Sequence, residues 1–141
     1  MSIIYAESNA VLRWLLGAAD STVLGKIMSS AETVVTSALT SAEVGRTLRR
    51  LNKTGVLGSD ARDLAWAGYC RAAAHWDLFA VSEAILSRAS EPFPVEPLRT
   101  LDAIHLATAS FCAHKVQAVT VLSVDAELRK NAEALGLRVA P

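Results

Sequence analysis

The chain has 141 residues, 52% of them hydrophobic and 20% charged, and its 14 Lys+Arg balance its 14 Asp+Glu to a formal net charge of zero. One domain is the default at this length, burying about two-thirds of the unfolded surface, and the charge balance excludes a nucleic-acid binder working through a global basic surface, though not a local basic strip. A mean hydropathy of +0.31 excludes disorder and predicts that a partner covers part of the apolar surface.

The opening residues 1–10 carry no basic region and Glu7 interrupts their apolar run, so no secretory leader is expected; no later stretch nears the ~20 apolar residues of a membrane span. Ile3-Ile4-Tyr5 reads as a strand. Ser8 or Asn9 then caps a helix through Val11, Leu12, Leu15 and Leu16 that ends near Gly17. Thr33-Val34-Val35-Thr36 is a second strand. Thr40 or Ser41, with Glu43, opens a helix to about Asn52, and Gly55 and Gly58 punctuate the next segment. Ser59-Asp60 caps a long helix through Leu64, Trp66, Tyr69 and Ala73. Leu78–Val81 is a weak strand, Ser82 starts a short helix, and Pro92, Pro94 and Pro97 mark a loop. A helix from about Thr100 to Ala113 comes next, then a strong strand at Val119–Leu122. Asp125 opens a final helix that Gly136 stops, and Leu137–Val139 is a weak terminal strand.

The strong strands scarcely alternate, as strands buried on both faces of a parallel sheet do. Strands interleaved with helices predict an α/β sandwich with a mostly parallel sheet, in one domain without linker or repeat. Cys70 and Cys112 lie in helical patterns and form no CxxC pair. That argues against a disulfide framework or a thiolate zinc site, and makes a reducing cytoplasm the natural compartment.

Ten of the acids fall at expected caps, loops or polar helix faces. Four do not. Glu7 ends the first strand, Glu43 lies on the helix after the second, and Asp125 comes just after Val119–Leu122. Asp102 sits among Leu101, Ala103, Ile104, Leu106 and Ala107, a helix apolar almost all round, where a carboxylate has no evident partner. A parallel sheet binds ligands beyond the carboxyl ends of its strands, so these acids can converge there. Gathered carboxylates repel unless a cation neutralises them, and an all-oxygen set suits Mg²⁺ or Mn²⁺. Each also has a plain reading: Asp102 and Asp125 as helix caps, Glu43 in a capping box, Glu7 as a strand-end charge. Spacing alone leaves both open.

Four stretches carry a resemblance: Ile4-Tyr5-Ala6-Glu7-Ser8-Asn9-Ala10-Val11-Leu12; Val34-Val35-Thr36-Ser37-Ala38-Leu39-Thr40-Ser41-Ala42-Glu43-Val44; Leu98-Arg99-Thr100-Leu101-Asp102-Ala103-Ile104-His105-Leu106-Ala107-Thr108-Ala109; and Thr120-Val121-Leu122-Ser123-Val124-Asp125 with Ala132–Leu137. In order and spacing the chain resembles the PIN-domain ribonucleases, specifically the VapC toxins of toxin–antitoxin pairs. One departure is that the family's first acid is usually Asp, where this chain has Glu7.

The resemblance implies a single PIN-like domain over residues 1–141, a three-layer α/β/α sandwich. It also implies a Mg²⁺- or Mn²⁺-dependent endoribonuclease toxin, inhibited by a cognate antitoxin and forming a homodimer, with RNA as substrate and no membrane association. Glu7, Glu43, Asp102 and Asp125 would be the catalytic acids. Glu7 and Asp102 would be the main metal ligands, joined by Asp125, with Glu43 acting directly or through water. Asn9 would orient Glu7 or a water, and Ser123 would support Asp125. A metal-activated water would attack the phosphodiester, so no nucleophilic side chain is required. Arg13, Arg46, Arg49 and Arg50 are candidates to contact RNA, against the plainer reading of solvated helix faces. His105, three residues past Asp102, reads as a hydrogen-bonded histidine beside the site rather than a ligand. Trp66, Tyr69 and Ala73 form a helical stripe for the core or a partner. The alternative function is a catalytically weak PIN-fold subunit that mainly binds an antitoxin-like partner, favoured only by Glu7. A receiver-type phosphoacceptor is disfavoured, because paired acids after the first strand and a lysine directly following a late strand are missing.

Overall fold

The structure, a computed structural model, describes residues 2–116 and 118–141. Five strands form one all-parallel sheet: β1 (Ile3–Ala6), β2 (Thr33–Ser37), β3 (Asp77–Phe79), β4 (Val119–Leu122) and β5 (Arg138–Ala140). Their spatial order is β3-β2-β1-β4-β5, so β1 lies in the middle, with Tyr5 opposite Val35 on one side and Val121 on the other. The helices among the described residues are α1 (Ser8–Leu15), α2 (Ser21–Ser30), α3 (Leu39–Lys53), α4 (Ser59–Ala73), α5 (Glu83–Ala89), α6 (Thr100–Val116) and α7 (Ala126–Ala134).

Both faces of β1 are covered, which is why its sequence does not alternate. Ile4 and Ala6 pack with Val11, Leu24, Val44, Leu48 and Tyr69 from α1 to α4. Ile3 and Tyr5 point the other way, to Leu106, Ala109 and Cys112 of α6 and Leu128 of α7. The result is the expected three-layer α/β/α sandwich. No helix among the described residues is long and apolar enough to cross a membrane.

Local chemistry explains where the elements depart from expectation. α2 was not expected: no element was read between Gly17 and Thr33. Gly25 costs about 1 kcal/mol in a helix, but a Cβ there would lie 3.1 Å from Trp14 Nε1, so the glycine admits the α1 indole. α1 is capped by Glu7, not Ser8 or Asn9, and α4 by Gly58, not Ser59 or Asp60. α3 starts at Leu39, whose N–H donates to Ser37 Oγ at 3.1 Å. Thr40 instead lies inside the fold, 2.8 Å from the Thr36 hydroxyl. Glu43 is therefore no capping-box residue. Gly136, at φ +82°, ends α7 as expected.

Candidate functional site

After β1 the chain builds β2 and β3 on one side and only later β4 and β5 on the other. The crevice between the carboxyl ends of β1 and β4 is thus a topological switch point, the place where open α/β sheets bind ligands. Glu7 sits there. It leaves β1, caps α1, and is 1% exposed. Its Oε1 accepts from the Asn9 N–H at 2.9 Å and lies 3.1 Å from Ser8 Oγ, while Oε2 accepts from Ser123 Oγ at 3.2 Å. Burial pushes its carboxyl above the ordinary range; the Asn9 N–H and Ser8 oppose the shift, and the Glu43 charge adds to it.

Glu43 approaches from the first turns of α3. Its Oε2 is 3.0 Å from the same Ser8 Oγ. A hydroxyl carries one proton, so Ser8 can donate to only one of these carboxylates at a time. The Glu43 Oε1 lies 2.5 Å from His105 Nε2, and Tyr5 Oη is 2.7 Å from His105 Nδ1. An ionised carboxylate only accepts, so Nε2 carries the proton; in the neutral ring Nδ1 then accepts from the Tyr5 hydroxyl. Burial pushes that hydroxyl well above its ordinary pKa, keeping it a donor. His105 is fully enclosed, held between Glu43 and Tyr5.

Asp102 and Asp125 form the other half. Asp102, in the first turn of α6, is buried, yet its Oδ2 accepts from Arg99 Nε at 3.1 Å. The expectation of a partnerless carboxylate is thereby corrected: the partner sits three residues earlier, one helical turn away. Arg99 also reaches Asp125 Oδ2, with its Nη2 at 3.4 Å. The two carboxylates hold the Arg99 guanidinium above its ordinary pKa, the Asp102 hydrogen bond most of all. Asp125 is the N-cap of α7, accepting from the Leu128 N–H at 2.9 Å, and its own N–H donates to Ser123 Oγ at 3.1 Å. Ser123 thus ties Asp125 to Glu7.

The sequence reading missed Arg99, Ser8 and Tyr5. Arg99 was legible in its i, i+3 spacing to Asp102; Tyr5, inside an apolar strand, left no such signal. Asn9 meets Glu7 through its backbone, the side chain being exposed. Arg13 is engaged by Asp20, with Nε 2.9 Å from each carboxylate oxygen. Arg46, Arg49 and Arg50 are exposed on α3 and form no salt bridge among the described residues.

Among the described residues no three His, Cys, Asp or Glu side chains are grouped to hold a metal ion. The donor chemistry nevertheless fits a hard divalent cation. All four acids offer oxygen, and the Glu7 and Glu43 carboxylates meet across the single proton of Ser8 Oγ, the kind of charge pairing that a hard cation relieves.

The PIN domain family model matches residues 4–134. Ribonuclease VapC46 of Mycobacterium tuberculosis is 38% identical over 139 residues, covering 99% of this chain and 97% of the relative. Ribonuclease VapC35 of the same species is 30% identical, covering 97% and 95%. Among solved structures, VapBC2 from Rickettsia felis, bound to a DNA fragment from its promoter, superposes with a TM-score of 0.66 at 10% identity, over 98% of this chain and 97% of that one. The sarcin–ricin-loop-cleaving toxin VapC20 of M. tuberculosis gives a TM-score of 0.63 at 17% identity, over 90% and 93%.

Proposed function

The chain belongs to the PIN domain family, and on that premise we propose that it is the ribonuclease toxin of a toxin–antitoxin pair, a metal-dependent endoribonuclease acting in the cytoplasm. One domain spans residues 1–141, works as a homodimer, and is held silent by a cognate antitoxin. The observation that carries the catalytic reading is Glu7: a carboxylate buried at the switch point, linked by Ser8 to Glu43 and by Ser123 to Asp125. The comparison with VapBC2 supports the antitoxin.

Glu7, Asp102 and Asp125 would hold Mg²⁺ or Mn²⁺, with Glu43 completing the acidic set. When bound, the ion supplies a lowered pKa for an attacking water and positive charge for the phosphoryl oxygens. The protein's own part is positioning. Ser123 and the Asn9 N–H fix the two Glu7 oxygens, and His105, backed by Tyr5, fixes Glu43. Arg99 steadies Asp102 and Asp125 and, being mostly exposed, stands at the rim where an RNA phosphate arrives. Arg46, Arg49 and Arg50, exposed on the helix that carries Glu43, are further candidates to contact the RNA.

Cleavage of a mixed RNA pool with MnCl₂, and its loss in EDTA, tests the reading. Asp102→Asn is expected to cut kcat by at least a hundredfold, about 2.7 kcal/mol of barrier. Wild-type protein inert with Mn²⁺ would favour the alternative, a PIN-fold subunit that only binds its partner.

A further inference from the structure

We propose that the cleft between α3 and α4 is a docking track for single-stranded RNA, with Trp66 as a base-stacking platform and the α3 arginines on the phosphates. This rests on the ribonuclease reading and names where its substrate lies.

The cleft has a volume of about 340 Å³ beside Ala42, Gly45, Arg46, Arg49, Arg62 and Trp66. Its α3 wall starts at Ala42, the residue before Glu43, and continues through Arg46, which follows Glu43 by three residues, one helical turn. A neighbouring hollow of about 520 Å³ shares Arg46, Arg49 and Arg62 and continues to Arg50 and Lys53. At 1.5 Å per residue, Glu43 to Lys53 is about 15 Å, room for a few nucleotides leading away from the acids.

Charge favours a polyanion. The chain is neutral overall, yet residues 44–59 contain Arg46, Arg49, Arg50 and Lys53 and no acid. None of the four forms a salt bridge among the described residues. Asp63, the acid on the cleft wall, is answered by Arg62 at 3.0 Å, so the four cations stand uncompensated.

Trp66 favours an unpaired strand. Trp66 is 40% exposed, which leaves part of the residue open to solvent beside the arginines. It stacks on Tyr69 with centroids 5.4 Å apart and 27° between planes, and Tyr69 Oη is fixed 2.8 Å from Ser41 Oγ. Gly45 lies against the ring, where a Cβ would stand 3.4 Å from Trp66 Cζ3, in ordinary van der Waals contact. A rigid, half-open ring beside free guanidiniums is what single-stranded nucleic acid uses, because a base in a duplex has no free face.

The test measures binding in EDTA by tryptophan quenching and by anisotropy of a labelled 12-mer. The competitors are the same 12-mer as a duplex and polyglutamate; the variants are Trp66→Leu, Trp66→Phe and Arg46→Gln/Arg49→Gln. Single-stranded RNA is expected to quench fluorescence. Trp66→Leu should weaken binding about tenfold and Trp66→Phe much less. The double arginine variant should lower the slope of log Kd against log salt by about 1.4, two single-strand phosphate contacts. Circular dichroism melts check that each variant folds, and the arginine pair, exposed on its helix, keeps the proposal testable if Trp66→Leu does not. Wild-type affinity in the folded variants, equal affinity for duplex, or tighter binding of polyglutamate overturns the track; the last would make the cleft an acidic-peptide site. Cleavage is read separately with MnCl₂. Active variants with wild-type KM overturn the track alone, whereas inert wild type whose RNA binding still depends on Trp66 supports the track and removes the nuclease.

Discussion

A carboxylate as deeply buried as Glu7 usually faces a cation; here its neighbours are two hydroxyls, a backbone N–H and a second carboxylate. Because burial raises its pKa, the native state holds the proton more tightly than the unfolded chain does. The stability this contributes is full below the unfolded value, near 4.3, and is lost as pH rises through the raised native value. Glu7→Gln removes that loss, so in EDTA at pH 7 it should melt about 3–5 °C higher, on the order of 1 kcal/mol, with the advantage vanishing towards pH 4. Thermal melts across that pH range decide the matter, and a variant less stable than wild type at pH 7 would mean that Glu7 serves the fold first. His105 gives a second residue-scale expectation. His105→Leu strips Glu43 of a donor and Tyr5 of an acceptor in a buried setting, and should cost about 2–3 kcal/mol and most of kcat. A Gln there can donate to Glu43 and accept from Tyr5, and should recover at least half of both. Urea melts paired with RNA cleavage rates read the two effects separately.

The helices hold the acids by their ends, and this is where cap and catalyst can be told apart. Asp125 both caps α7 and faces Arg99. Asparagine caps as well as aspartate, so Asp125→Asn should stay within about 0.5 kcal/mol of wild type while cleavage falls at least tenfold; Asp125→Ala should lose about 1 kcal/mol as well. A fully active Asp125→Asn would leave the residue a cap and nothing more. The same entanglement limited what the sequence reveals. The strands at Ile3, Thr33 and Val119 were readable because burial on both faces removes polar alternation. The acids stood out because each comes after a strand or sits in an apolar helix. The start of α3 was misplaced because Ser37, at the end of β2, takes the hydrogen bond that Thr40 or Ser41 was expected to provide. α2 was passed over, and the tolerance of its interior Gly25 shows only in space, where Trp14 packs against it. Of the plain readings, that of Asp125 as a helix cap holds; Glu7, read as a strand-end charge, caps α1, Asp102 pairs with Arg99, and Glu43 turns to Ser8 and His105.

Across the whole molecule, cation binding should appear as stability. A divalent ion at a hundredfold excess over its Kd adds about 2.7 kcal/mol, or ~10 °C for a chain of this size, and EDTA should remove it. Asp102→Asn should forfeit most of that response yet leave the metal-free protein within about 0.5 kcal/mol, since its Arg99 partner is largely exposed and such pairs contribute little. Equal MnCl₂ shifts in the two proteins would take Asp102 off the list of ligands. The strand order has a further consequence, one of timing. β1 is made first and sits in the middle of the sheet, but the neighbour that completes the crevice, β4, begins at Val119. Glu7 cannot meet Ser123, nor Arg99 meet Asp125, until most of the polypeptide has left the ribosome. On the proposed function, a chain interrupted before that strand lacks the assembled crevice and is expected to be inactive, so that activity would wait on the end of synthesis.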